Sequence, residues 1–83
     1  MAWPTAVLSD GKTYEVRHTI DAGFKARREG TVLWTDGSET LVGALRDAFE
    51  GTIDDEAQRA IQDAAARIME QAFSNIPDRH RGQ

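Results

Sequence analysis

Ser9-Asp10-Gly11-Lys12-Thr13-Tyr14-Glu15-Val16-Arg17-His18-Thr19-Ile20 is the stretch that decides the fold. Asp10-Gly11 signals a tight turn, because glycine accepts the positive φ that such turns need. Beyond it the residues alternate. Tyr14, Val16, His18 and Ile20 fall on one face, and Thr13, Glu15, Arg17 and Thr19 on the other. A period of two marks a half-buried strand.

Thr5-Ala6-Val7-Leu8, ahead of the turn, supplies a partner strand. Asp21-Ala22-Gly23 breaks the long strand, after which Phe24, Ala26 and Arg28 alternate with Lys25 and Arg27. Residues 21–29 read as a further strand, with a short helix capped by Asp21 and stopped by Gly30 as the alternative. Glu29-Gly30 then reads as a hairpin turn into Thr31-Val32-Leu33-Trp34. Connections this short cannot cross over to a parallel neighbour, so three or four strands form an antiparallel meander. Its core face is expected to carry Tyr14, Val16, Ile20, Phe24, Val32 and Trp34. Its solvated face is expected to carry Glu15, Arg17, Lys25, Arg27, Thr31 and Leu33.

The second half has helical spacing. After the loop Thr35-Asp36-Gly37-Ser38, with Ser38 as a candidate N-cap, Leu41, Val42, Leu45, Ala48 and Phe49 form one apolar face, and Gly51 ends it. A longer helix starts near Thr52 or Asp54, which can cap it, and Asp54, Asp55 and Glu56 suit the positive end of its dipole. Pro77 stops it. Over 54–76 two apolar stripes recur at three-and-four spacing. One is Ala57, Ile61, Ala64 and Ile68, and the other is Ala65, Met69, Ala72, Phe73 and Ile76. Strands first and helices after make the α+β class, a small antiparallel sheet with two helices on one face. Residues 1–77 form one domain, and 78–83 is a polar tail expected to fray.

At 83 residues the core is thin. With no cysteine there is neither a disulfide nor a cysteine-based metal site. That fits a reducing cytoplasm. Met1-Ala2-Trp3-Pro4 lacks the features of a secretory signal, and no run is long enough to span a membrane. The expectation is a soluble, cytoplasmic protein.

Charge is unevenly spread. Through residue 34, Lys12, Arg17, Lys25, Arg27 and Arg28 face Asp10, Glu15, Asp21 and Glu29, a net +1. Over 35–76, Arg46, Arg59 and Arg67 face Asp36, Glu39, Asp47, Glu50, Asp54, Asp55, Glu56, Asp63 and Glu70, a net −6. Asp78, Arg79 and Arg81 add +1, for −4 in all. An acidic surface repels nucleic acid and attracts basic protein surfaces.

Chemistry-bearing patterns are sparse. His18 has no second titratable residue beside it on its face, so it reads as a core-edge histidine rather than a general base. Ser9, Ser38 and Ser74 lie in no nucleophile-elbow pattern, and no glycine-rich phosphate loop occurs. No enzyme activity, cofactor or metal is expected. Asp47, Glu50, Asp54, Asp55 and Glu56 form an acidic corner suited to a partner with a basic surface; calcium-loop spacing is absent. Trp3, Ala65, Met69, Ala72 and Phe73 are expected at an interface, with the second stripe making a homodimer. Arg17, Lys25 and Arg27 form a basic strip on the solvated sheet face, where no interleaving aromatic residue is expected, so nucleic acid is not the expected partner.

The expected function is a small acidic protein-binding module. One version, by class analogy, is an inhibitor of the kind phages and mobile elements carry, docked on a nucleic-acid-binding surface. The alternatives are a nucleic-acid-binding accessory factor that uses the basic strip, and a structural or assembly subunit.

Overall fold

A computed structural model describes residues 3–72. Phe73, Ile76, the Pro77 stop and the tail lie outside the described residues. Three strands, β1 (Thr5–Val7), β2 (Thr13–Thr19) and β3 (Gly23–Arg28), form one antiparallel sheet in the order β1-β2-β3. Two helices follow, α1 (Leu41–Ala48) and α2 (Asp55–Ala72). The α+β meander is therefore observed, and within residues 21–29 the stretch Gly23–Arg28 is strand, with turns on either side, rather than helix.

The sequence rules explain most boundaries. Gly11 takes φ 77° in the β1–β2 turn, where Asp10 accepts the Lys12 N–H at 3.0 Å. Thr40, not Ser38, caps α1, its hydroxyl accepting the Gly43 N–H at 3.0 Å. Ser38 is held instead by backbone bonds to Phe24 of 2.8 and 2.9 Å. Asp54 caps α2 by accepting the Ala57 N–H at 2.8 Å, and Asp55 and Glu56 occupy the first turn.

The core lies between the sheet and the helices. Tyr14, Val16, Leu45 and Ile61 are its largest fully buried side chains. Around them sit Ala6, Leu8, Phe24, Ala26, Leu41, Ala44, Ala64, Ala65 and Ile68. Phe49 stacks on Tyr14, with centroids 6.3 Å apart. Ala65, assigned by its spacing to the second stripe, is thus a core residue. It follows Ile61 by four positions, so the two stripes share one broad face.

Three side chains expected on the core face are not there. Ile20 is fully exposed because it begins the turn beyond the end of β2. Val32 is exposed and Trp34 half-buried because 31–37 is irregular. That segment follows the outer edge of β3, and beyond the turn at Thr31 its backbone joins the β3 backbone at two points. Thr35 joins Ala26 through its N–H and its hydroxyl, both at 3.0 Å, and Ser38 bridges Phe24. Three chain steps, 35 to 38, oppose two steps, 24 to 26. The extra residue breaks the ladder in the manner of a bulge and resets which face each side chain takes.

Tyr14 donates its hydroxyl hydrogen to Asp10 Oδ2 at 2.7 Å. Burial first, then this bond to a carboxylate, pushes the phenol well above its ordinary value of 10.0. The folded protein holds a proton that the unfolded chain releases above about pH 10. The stability Tyr14 contributes is therefore complete below pH 10 and lost as pH rises beyond it. Urea midpoints across the alkaline range are expected to fall for the wild type and to fall less for Tyr14→Phe.

Candidate functional site

The residues singled out by sequence separate into three surfaces. Asp47, Glu50, Asp54, Asp55 and Glu56 are all exposed around the α1–α2 corner. Two of them have structural duties. Glu50 accepts from Arg28 Nη1 at 2.8 Å, and Asp54 caps α2. Among the described residues no group of three His, Asp or Glu side chains is placed to hold a metal ion.

The second surface is an apolar groove at the other end of α2. From Asp55 to Met69 is about 21 Å along the helix at 1.5 Å per residue. Phe24, Leu41, Val42, Ala65, Ala66 and Met69 line a cleft of about 400 Å³, with Glu39, Thr40 and Gln62 at its rim. Helix α1 packs against both β3 and α2, whereas α2 meets the sheet at β1, so the groove is the gap beside the α1–α2 contact that the Phe24 side chain reaches. Met69 keeps 37% of its surface open. His18 pairs across the strands with Phe24, their rings 4.7 Å apart, and is itself exposed at this end of the sheet. It occupies the core-side face of β2 where the helices no longer cover it.

Of the residues expected at an interface, Ala65 and Met69 belong to this groove, with Ala65 mostly buried. Trp3 and exposed Ala72 line a separate cleft with Pro4, Thr5, Ile68 and Gln71. Phe73 lies outside the described residues.

The third surface is the open face of the sheet. The absence of aromatic residues expected there is overturned. The irregular 31–37 segment lays Trp34 over this face, and Trp3 approaches from the β1 side, edge-on to Trp34 at 5.6 Å. The Arg27 guanidinium lies 4.4 Å from the Trp34 ring centroid, and that of Arg17 4.7 Å from it and 5.7 Å from Trp3. Arg27 also pairs with Glu15 at 2.7 Å, directly across the strands. Both partners are about one-fifth to one-quarter exposed, so this pair is better sheltered than Arg28–Glu50, where the carboxylate is 72% exposed. Alternation places the arginines on this face, but nothing local signals that residue 34 crosses to it. The bulge at 35–38 depends on Gly37, at φ 126°, and on the tertiary pairing of Ser38.

Among the described residues no helix is long and apolar enough to cross a membrane. No family model matches the chain, and no significant match was found among curated proteins or solved structures.

Proposed function

We propose that this chain is a non-enzymatic protein-binding module that takes an apolar anchor of a partner into the α1–α2 groove. The observation that carries this reading is the groove: six apolar side chains around one cleft, with a single charged residue, Glu39, at the rim. An apolar cleft with a polar rim is the form in which helical surfaces accept a partner's apolar side chains. The net −6 of residues 35–76 favours a partner with a basic surface, drawn by long-range attraction. An inhibitor that covers a nucleic-acid-binding surface remains the concrete version of such a module, and cytoplasm its expected setting.

Charge reversal tests the basic-partner part, and the structure selects the positions. Asp54 and Glu50 are avoided, since their loss removes a helix cap and an ion pair. Asp47→Lys with Asp55→Lys is expected to weaken capture of the partner severalfold at low salt and little at high salt. Capture that is insensitive to both changes, or that vanishes with nuclease, would contradict it.

Self-association through α2 is a second use of its exposed side, favoured by Met69 at the groove and Ala72 in the separate cleft. Sedimentation velocity separates the two. A homodimer made this way becomes monomeric with Met69→Glu, whereas a monomeric module keeps its size.

A further inference from the structure

We propose that the open face of the sheet binds a nucleotide unit, with Arg17 and Lys25 on the phosphate and Trp3 stacked on the base. Arg17 and Lys25 are direct cross-strand partners. Like charges placed opposite one another destabilise a sheet. One row along, Arg27 is neutralised by Glu15. Among the described residues neither Arg17 nor Lys25 has an acidic partner. Arg17 Nε is shielded from solvent and has no hydrogen-bond partner. The guanidinium is held against two indoles, so its donors are fixed in place without a counter-ion. An anion held by the reachable donors of Arg17 and by Lys25 is the group that relieves the repulsion.

The second component is aromatic. The Val16 N–H bonds to the Pro4 carbonyl at 3.0 Å, which sets Trp3 beside Arg17. Trp3 is 42% exposed, while Trp34 is half-buried and touched by both arginines. Trp34 therefore serves as the floor that holds the guanidinium, and Trp3 offers the indole surface a ring can reach. A cation row next to an exposed indole fits a phosphate joined to a flat base, the combination that recurs in single-stranded nucleic-acid sites. Duplex fits poorly, because its bases are already stacked. An acidic peptide would satisfy the cations but leave Trp3 unused. This site stands independently of the groove on the other side of the sheet.

The probe is a short labelled oligothymidylate, followed by anisotropy at several salt concentrations, with a mononucleotide, the matching duplex and polyglutamate as competitors. Saturable binding is expected, with a log–log salt slope of about −0.7 for one neutralised phosphate on a single strand. Lys25→Gln, which leaves Arg17 alone on that phosphate, is expected to weaken binding severalfold at low salt and to flatten the slope. Trp3→Ala is expected to weaken binding about tenfold, while Lys12→Gln, in the β1–β2 turn, leaves it unchanged. Circular dichroism confirms that each variant is folded. Competition by the mononucleotide would support the site with a free nucleotide as ligand; competition by oligonucleotide alone would support it with a polynucleotide. The proposal is overturned by no saturable binding at low salt, by equal competition from duplex or polyglutamate, or by binding that survives both Trp3→Ala and Lys25→Gln.

Discussion

Ile61→Ala is expected to bring the protein close to unfolding at room temperature. Ile61 has no exposed surface and sits in α2 within the cluster that joins Tyr14, Val16 and Leu45. Truncating a buried isoleucine costs about 2–5 kcal/mol, from lost transfer energy and from the cavity left behind. A domain of this size has a total stability of roughly 4–12 kcal/mol. The loss is thus a large share of the whole. With no disulfide to restrain the unfolded chain, nothing covalent offsets it. The thermal midpoint is expected to fall by more than about 10 °C, at about 4–8 °C per kcal/mol for a small domain. A fall of under about 3 °C would mean that α2 does not seat on the sheet as described.

Gly23→Ala is expected to be the next most damaging change, and Gly30→Ala is its control. Both glycines have positive φ, 83° and 95°, so alanine pays the left-handed penalty of about 1–2 kcal/mol at either site. The surroundings differ. A Cβ on Gly30 meets nothing, whereas one on Gly23 runs into the Ser38 carbonyl oxygen. That carbonyl accepts the Phe24 N–H at 2.8 Å, and the clash would push it off. Since Ser38 leads into Thr40 and the α1 cap, the disturbance passes to the first helix. Chemical denaturation should show Gly23→Ala at least about 1 kcal/mol less stable than Gly30→Ala, the worth of a backbone bond broken in the clash. Equal losses would show that the 37–38 segment is not clamped to the β2–β3 turn.

The features most legible in the sequence are those set by local chemistry. The Asp10-Gly11 turn, the alternation through Tyr14 and Val16, the glycine after Asp21 and the acid-rich start of α2 each name their structure from adjacent residues. Legibility ends where chain neighbours stop deciding. Period two assigns Ile20 to the core, yet the strand ends before it. Val32 and Trp34 carry a strand's composition, yet the pairing of Ser38 with Phe24 and the extra residue ahead of it override that preference. The same crossing of Trp34 creates the indole and guanidinium surface, so the site that sequence reasoning missed and the strand it misplaced have one cause. The groove was half visible. Met69 was singled out by spacing, but Phe24, Leu41 and Val42 join it only once α1 packs on both β3 and α2.

The most direct test of the binding-module reading places a photoreactive residue at Ala66, an exposed position lining the groove. A control carries it at Val32, an exposed position outside the groove. After irradiation in lysate treated with nuclease, the account predicts one protein adduct from position 66, reduced by a second change, Met69→Glu, and no such adduct from position 32. An adduct formed equally from both positions, an adduct only to a second copy of this chain, or none from position 66 would contradict it.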